Sequence, residues 1–362
     1  MPKFLNLEPE IFGVDINDSS LKIAKLKKKP KGFSLVSFNE VKIRTGILKE
    51  GIIQDEKALA NIIKMACLTV KGKKLGTKYV IVSLPEEKSF SQLIEVPQMT
   101  EKELKLAVPF EAENYIPLAI DKIYLDFQVV NFHHSNQRHL DLLINAMPRF
   151  IVDSYVSCFK KAGLTPYILE VESQAIARAL LKNGDKILPT IIVDLGRDRT
   201  HLIIFSGGSV RFTSSVSTSS QLLTRAISES FDLNLHSAEA LKVKQGLNKK
   251  GRYDIDKAVD PILKDLALQI KKYIDFYHNH SFHDNSLPDG KIRRVILSGG
   301  GANLKNLAGF LTKELGIPIE LGNPFLNITL PKKINFPQGS ALSFTTVLGL
   351  ALRGAEEQLN YD

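Results

Sequence analysis

Two aspartates, Asp15 and Asp194, each end a short apolar run, and each is followed by small or polar residues and a second apolar run. Val14-Asp15-Ile16-Asn17-Asp18 lies over Val193-Asp194-Leu195-Gly196-Arg197 without a gap, and the apolar residues from Ile23 then fall on those from Leu202. Self-similarity of this kind marks a duplicated unit. The chemistry it suits is phosphate binding. A tight hairpin whose turn visits φ > 0 aims backbone N–H groups at an anion. Gly196 adopts such a conformation freely and Asn17 at modest cost. Ser19, Ser20 and Thr200 supply hydroxyl donors. Asp15 and Asp194 would face the phosphates and hold Mg²⁺ through water, since Mg²⁺ keeps several of its waters. Two ordinary hairpins with Asp in the turn would not place both aspartates before it.

A third element is Leu297-Ser298-Gly299-Gly300-Gly301-Ala302-Asn303. A strand, three glycines and a helix let the backbone approach a ligand closely and set a helix N-terminus beside it. The run fits neither GxGxxG nor the P-loop, so those nucleotide folds gain no support.

Each aspartate heads an α/β half. The first half reads as a meander of strands at Ile11–Asp15, Leu21–Lys27 and Phe33–Val41, then a helix over Asp55–Cys67 opening on acid, then a buried strand at Tyr79–Leu84. The basic run from Lys25 to Lys31 sits where one strand turns into the next and reads as a solvated hairpin tip. From about Ser83 to Gly163 the pattern changes to strands at Ser89–Val96, Tyr124–Val130 and Leu140–Ala146, with helices at Thr100–Tyr115 and Arg149–Ala162. Thr100 with Glu103 is a capping-box start, Pro109 should kink the first of these helices, and Gly163 suits the C′ stop of the second.

The second meander has strands at Ile191–Asp194, Thr200–Phe205 and Val210–Ser217, the last two joined by Ser206-Gly207-Gly208. Helices are expected at Ser220–Phe231, Ala238–Gln245 and Ile255–Tyr277, then a strand at Arg294–Leu297 and helices at Leu304–Leu315 and Ala341–Leu352.

Composition excludes several classes. With 44% hydrophobic and 24% charged residues, the 362-residue chain reads as globular, and no apolar run is long enough to span a membrane. MPKFLNLEPE lacks the basic and apolar regions of a secretion signal. Cys67 and Cys158 are far apart and read as reduced, buried thiols. The net charge of +9 is scattered, which argues against a dedicated nucleic-acid surface. His278, His280 and His283 with Asp284 match no usual zinc spacing and read as a helix end; His133-His134 reads as a loop.

The hairpins, the glycine turn and the insert resemble the actin-like superfamily, and closely the PilM family of type IV pilus assembly proteins, relatives of the division protein FtsA. The resemblance covers nearly the whole chain and includes VPFEAENYIPL (Val108–Leu118) with Leu125-Asp126-Phe127, Ser237–Lys242, LSGGGANL, LGIPIELGNPF (Leu315–Phe325) and LGLALRG (Leu348–Gly354). It implies an α/β, actin-like fold of the duplicated ribonuclease H-like type, two lobes with an α+β insert. The first lobe would comprise 1–84, 164–189 and 340–362, the insert 85–163, the second lobe 190–234 with 290–339, and a helical subdomain 235–289.

The resemblance also implies ATP and Mg²⁺ as ligands. It assigns Asp15, Asn17, Ser19, Ser20 and Lys22 to one phosphate hairpin and Asp194, Gly196, Asp198 and Thr200 to the other. Glu239 and Lys242 would border the base, and Gly299, Gly300, Gly301 and Asn303 the nucleoside. Asn17 and Asp18 stand where the family has Gly then Ser, Ser219-Ser220 where it has Gly-Gly. The extra carboxylate of Asp18 repels a triphosphate unless a metal or Lys22 compensates; Arg197 and Arg199 restore the balance in the second hairpin. Glu170, Glu172 and Gln174, on the approach to the second half, are the candidates for orienting an attacking water, with slow or absent hydrolysis expected.

The implied role is a cytoplasmic adaptor at the inner face of the membrane that docks the N-terminus of a PilN-like protein, touching the membrane only through that partner. Its groove is expected between the first lobe and the insert, lined by Val96, Leu104, Ala107 and Phe110. The acidic tail GAEEQLNYD lacks the basic amphipathic face of FtsA-like proteins, which separates this reading from an FtsA-like filament protein; a small-molecule kinase of the same superfamily would need a substrate acid near the cleft, and none is evident.

Overall fold

The computed structural model describes residues 10–30, 32–130, 139–182, 188–248, 253–280, 291–337 and 339–357. The chain begins with β1 (Ile11–Asn17), β2 (Ser20–Lys29) and β3 (Gly32–Lys42), then the small hairpin β4 (Leu48–Lys49) and β5 (Ile52–Ile53), α1 (Glu56–Leu68), β6 (Lys71–Gly72) and β7 (Tyr79–Leu84). The insert follows as β8 (Phe90–Pro97), α2 (Glu101–Ala112), β9 (Ile123–Val129), β10 (His139–Pro148) and α3 (Arg149–Lys161). The chain returns through β11 (Thr165–Val171) and α4 (Glu172–Leu180) to the second meander, β12 (Thr190–Leu195), β13 (Thr200–Ser206) and β14 (Ser209–Val216). Then come α5 (Ser220–Phe231), α6 (Leu235–Gln245), α7 (Ile255–His280), β15 (Arg294–Ser298), α8 (Leu307–Leu315), β16 (Ile319–Leu321), β17 (Ile328–Thr329) and α9 (Thr345–Glu357).

The duplication read in the sequence is a duplication of topology. One sheet contains the run β3-β2-β1-β7-β11, with the short strands β17 and β6 added at β3, and the other runs β14-β13-β12-β15-β16. In both the meander is antiparallel and the last two strands are parallel. Val14 pairs with Ile23 as Val193 pairs with Leu202. The ladders even shift register at corresponding places, between Lys25 and Leu26 in one half and between Ile204 and Phe205 in the other. Of the expected turns, Gly207 and Gly208 both take positive φ, which joins β13 to β14 by a two-residue turn of the type that matches strand twist.

Helices and sheets alternate in five layers. Leu59 and Ile63 of α1 and Ile151, Tyr155 and Phe159 of α3 bury one face of the first sheet; α9 covers the other with Val347, Leu348 and Ala351. Next to α9 lies α4, whose Ile176, Ala177 and Leu180 pack on Ile192, Ile203 and Ile296 of the second sheet. Helices α5, α7 and α8 close the outer face of that sheet. Close packing at the centre depends on glycine: a Cβ on Gly349 of α9 would sit 1.9 Å from the Ala175 carbonyl oxygen of α4, and one on Gly13 of β1 would sit 2.9 Å from Val347 and Ala351.

Several local expectations hold in detail. Asp55 caps α1 through the Ala58 N–H, Thr100 and Glu103 form a full capping box, and Gly163 (φ 82°) ends α3. Others need correction. Lys25 is not part of a solvated tip: it is buried on β2, where its ammonium meets Glu10 and the Leu75 carbonyl, whereas Lys27–Lys29 are exposed and Lys31 lies outside the described residues. The helix expected from Leu304 starts at Leu307, because Gly300–Asn303 form a 3₁₀ turn and Asn306 takes a left-handed conformation. Similarly Ala341–Phe344 is a 3₁₀ turn leading into α9, and α2 ends at Ala112 with Pro109 inside it. Strand β11 and helix α4 are additional to the elements read from sequence. Both cysteines are free, and burial pushes their thiols up, Cys67 to about 11 and Cys158 to about 12. Among the described residues no helix is long and apolar enough to cross a membrane.

Candidate functional site

A cleft of about 340 Å³ opens between the two meanders and is lined from both lobes. Asp15 stands opposite Lys22 across β1 and β2, and Asp194 opposite His201 across β12 and β13, the same register position in each half. Each aspartate is steadied by a serine on the parallel neighbour strand. The Ser83 hydroxyl donates to Asp15 Oδ1 at 2.9 Å, and Ser298, paired with Asp194 in the ladder, hydrogen-bonds its carboxylate. Burial raises the Asp194 carboxyl above the usual range, and His201 and the Ser298 bond oppose that rise.

The turns differ from each other and from expectation. Neither Asn17 nor Gly196 has positive φ. In the first hairpin Asn17 Oδ1 accepts from the N–H groups of Ser19 (3.1 Å) and Ser20 (2.9 Å) and from both hydroxyls. The amides expected to meet phosphate are thus held by a neighbouring side chain, because Asn readily bonds backbone two and three residues on. Asp18 is engaged as well: its carboxylate accepts from the Glu50 N–H at 2.6 Å and the Gly51 N–H at 3.0 Å, fastening the β4–β5 hairpin to the cleft. Lys22 is buried, donates to Ser20 Oγ at 3.0 Å and lies 3.8 Å from Glu40.

In the second hairpin Gly196 is required for closeness rather than φ, since a Cβ there would lie 2.7 Å from the Arg199 carbonyl oxygen. Gly196 and Arg197 turn their carbonyls to the first amides of α5, those of Ser220 and Gln221. Asp198 lines the cleft, its carboxyl raised by burial. Arg199 reaches across to Glu50 of the first lobe at 3.5 Å. Gly299 (φ 81°) and Gly300 complete the lining, and a Cβ on Gly299 would come within 2.4 Å of the Leu195 carbonyl oxygen.

Other expected site residues lie elsewhere. Thr200 is fully buried and donates to the Thr218 carbonyl at 2.7 Å, so its hydroxyl closes the meander instead of facing the cleft. Gly301 packs on Leu195, and Asn303 donates to the Gly300 carbonyl inside the 3₁₀ turn; neither lines the cleft. Glu239 and Lys242 are also outside its lining: they pair at 2.8 Å, and Lys242 donates to Ser220 and Thr224 at the start of α5. Burial depresses the Lys242 ammonium while Glu239 opposes the change.

Of the three candidates for orienting water, only Glu172 is in the cleft. Glu170 is buried on the opposite side, where Arg178 grips it through both carboxylate oxygens at 2.6 and 2.8 Å and Arg353 adds a third bond at 2.7 Å. Gln174 lies near it. Alternation along β11 sends Glu170 away from the cleft, whereas Glu172 opens α4 at the end of the strand and faces it. Burial, and then the acids Asp15, Glu87, Glu86 and Asp194, hold the Glu172 carboxyl well above its ordinary range. Glu87 and His201 are among the cleft residues that escaped the sequence reading, as are Glu40, Lys42, Ser343 and Thr346. The repeat contains the signal for His201, which occupies the position of Lys22.

The four apolar residues expected to line a peptide groove are dispersed, with Ala107 half-buried on α2. Val96 and Leu104 are buried in the insert's own core between α2 and its sheet, and Phe110 is 74% exposed on the outer face of α2. A groove between insert and first lobe does exist, at a different place. It encloses about 1000 Å³ and is lined by Tyr124–Gln128 of β9, Asn145–Met147 of β10, α3, β11, α4 and Arg353 of α9. Strand β9 is an edge of the three-stranded insert sheet. His278 accepts from the Ile292 N–H at 3.2 Å, a backbone role; His283, Asp284, His133, His134, the side chain of His280 and the tail from 358 lie outside the described residues.

Comparison with known proteins agrees with this architecture. The chain superposes on the PilM-PilN type IV pilus biogenesis complex with a TM-score of 0.81 and 27% identity, covering 96% of this chain and 98% of that one. MreB5 of Spiroplasma citri bound to ADP gives a TM-score of 0.56 at 13% identity, with 98% and 99% covered, a likeness of fold. Among curated proteins, FtsA of Enterococcus hirae is 24% identical over 194 residues, 49% of this chain and 43% of that protein. FtsA of Buchnera aphidicola is 22% identical over 245 residues, 62% and 56%. The chain therefore spans about half the length of the curated relatives it matches. The model of the family "Type IV pilus assembly protein PilM" matches residues 13–355. The fold is actin-like, and the chain belongs to the PilM family of type IV pilus assembly proteins.

Proposed function

We propose that this chain is an ATP-binding adaptor of a type IV pilus inner-membrane assembly complex, cytoplasmic and brought to the membrane by the N-terminus of a PilN-like protein. The observation that carries the nucleotide half is the cleft: two aspartates at one register position of two duplicated sheets, each steadied by a serine, face one space. Their hard oxygen donors suit Mg²⁺ held through water, and the close glycine turns at Gly196 and Gly299 leave room for backbone beside a phosphate chain. In the second hairpin the Gly196 N–H already donates to the Arg199 carbonyl at 2.9 Å, so a phosphate would meet the turn beyond it. The first hairpin would meet it once the Asn17 side chain releases the Ser19 and Ser20 amides. With Glu172 held toward its neutral form, activation of water is weak, which favours an ATP clamp over rapid turnover.

The partner half rests on the 27% identity to a chain of a PilM-PilN complex, and the groove beside β9 is its natural seat. Edge strands accept extended peptides through unpaired backbone groups, with side-chain pockets for selection. Equilibrium binding of fluorescent ATP, with Mg²⁺, and of a synthetic PilN-like N-terminal peptide tests both halves. Saturable ATP binding lost in Asp194→Ala, and peptide binding lost on Phe127→Asp, are expected; no binding of either ligand overturns the reading. The FtsA relatives favour filament formation as a second reading, for which sedimentation with ATP is decisive.

A further inference from the structure

The positive charge that reads as scattered in the sequence is gathered by the fold at one edge of the first sheet. The first 84 residues hold sixteen basic and eight acidic side chains, and so carry nearly all of the net +9. Three stretches contain no acid at all, 19–39, 57–85 and 321–355, and the outer strand β3 brings them together. It pairs with β2 along its length, so Lys27, Lys28 and Lys29 stand at the turn where the two strands meet. Its other edge carries β17 at Phe33 and Ser34 and β6 at Ser37 and Phe38, about 10 Å apart along the strand. Strand β6 leads into Lys73 and Lys74, in a segment fastened to the sheet by the Lys73 N–H, which donates to the Val36 carbonyl at 3.2 Å. Strand β17 leads into Lys332 and Lys333. All seven lysines are exposed. The ion pairs of β2 belong to the buried Lys22 and Lys25, and among the described residues none of the seven meets a carboxylate.

We propose that this lysine edge docks the first lobe directly on a bilayer rich in anionic lipid. Such a contact is additional to the peptide partner, and departs from the expectation that the chain meets the membrane only through it. The choice of a bilayer rests on the reading above that the chain works at a membrane. The chemistry also favours a bilayer over a nucleic acid. Lysine is a compact point charge on a flexible stem and meets headgroups in many geometries, whereas readout of bases and phosphates draws on the bidentate fork of arginine. All seven residues are lysine. No exposed ring stands among them to stack a base: Phe33 and Phe336 are half-buried, and Phe38 is buried against Phe336 and Phe344. Each lysine that reaches an anionic surface strengthens partition about fivefold, so a group of them binds where a lone surface lysine does not. The peptide groove stays free, because β11, which lines it, is four strand spacings from β3, or about 19 Å.

The test takes the full chain, with neither nucleotide nor partner peptide, and measures partition onto two kinds of vesicle. One is phosphatidylcholine alone and the other contains about one third phosphatidylglycerol. Binding to the anionic vesicles only is expected, weakened at least about tenfold by high salt. Lys73→Gln with Lys74→Gln should weaken it about twenty-five-fold. The exposed pair Lys102→Gln with Lys313→Gln, on α2 and α8, should stay within about twofold of the parent. If the first pair fails to fold, Lys27→Gln with Lys28→Gln carries the same expectation. The proposal is overturned by equal binding to both vesicles or to neither, or by an edge pair that loses no more than the control pair. Capture on a short DNA duplex as firm as on the anionic vesicles, at the same salt, overturns it too. Peptide binding in solution is measured separately, so loss of vesicle binding alone refutes the docking edge and loss of peptide binding alone refutes the partner reading.

Discussion

The two hairpins share a register, a ladder shift and an aspartate steadied by a serine, but they are closed in different ways. In the first, a two-residue turn between Asn17 and Ser20 is sealed by Asn17 Oδ1 and fastened through Asp18 to Glu50 and Gly51. In the second, the wider turn from Gly196 to Arg199 leaves Arg197 and Asp198 half open to the cleft, and Gly196 is kept small by the Arg199 carbonyl. Duplication has preserved what the hydrogen-bond ladder dictates. The turns, which no ladder constrains, have diverged: one braces the lobe and the other stays half open to the cleft.

The largest effect expected from disturbing this contrast is at Gly299, which supports the second hairpin. Gly299→Ala forces a Cβ against the Leu195 carbonyl at a left-handed φ and should cost about 3 kcal/mol in urea unfolding; an unchanged midpoint would mean the second hairpin needs no such brace. Next come opposite changes in ATP affinity. Gly196→Ala should weaken binding by about tenfold, whereas Asn17→Gly, which frees the Ser19 and Ser20 amides, should strengthen it by about fivefold, or roughly 1 kcal/mol. If both substitutions weaken ATP alike, the hairpins are equivalent after all.

A smaller effect belongs to Asp18. Asp18→Ala removes two bonds that anchor the β4–β5 hairpin and should lower Tm by about 2–4 °C with ATP affinity little altered; a large gain in ATP affinity would instead show that the Asp18 charge repels the phosphates. The smallest effect concerns Glu172 with a chelator present. Its folded carboxyl is raised, so its contribution to stability is complete below the unfolded value and is lost as pH rises through the folded one. Glu172→Gln stays neutral throughout. Its Tm should match the parent near pH 4 and exceed it by about 2 °C at pH 8; a parent that gains on the variant with rising pH contradicts the assignment.

Much of this architecture was legible because the strands obey a strict period. Val14 over Val193 and Ile23 over Leu202 in the sequence are the same cross-strand pairs in the ladders. What was hidden is where local pattern is ambiguous. Pro166 and a register shift between Pro166 and Ile168 disguise β11, and α4 is only nine residues long, with Gln174 and Arg178 as the one short polar stripe to mark it as a helix. That junction decides the fate of Glu170 and Glu172, two residues apart and on opposite sides of the layer. Val96 and Leu104 misled for a related reason: apolar residues of a small insert are needed for its own core before any remain for a partner. Lys25 shows that a basic run on a strand need not lie wholly in solvent, since β2 is buried through Leu26 and exposed only from Lys27 to Lys29.

The position of α9 has a consequence for how the protein is made. Its Val347, Leu348 and Ala351 cover the sheet whose first strand is β1, and its Gly349 seats against Ala175. On the ribosome, β1 to β7 therefore emerge with one apolar face lacking its cover until more than two hundred further residues have been added, while the second sheet and its helices can pack as they appear. The lobe begun first is completed last. During that interval the bare face of β1 and β2 is the surface a chaperone would meet, and truncations that remove α9 should leave the second lobe's helices protected from protease while the first meander is cut.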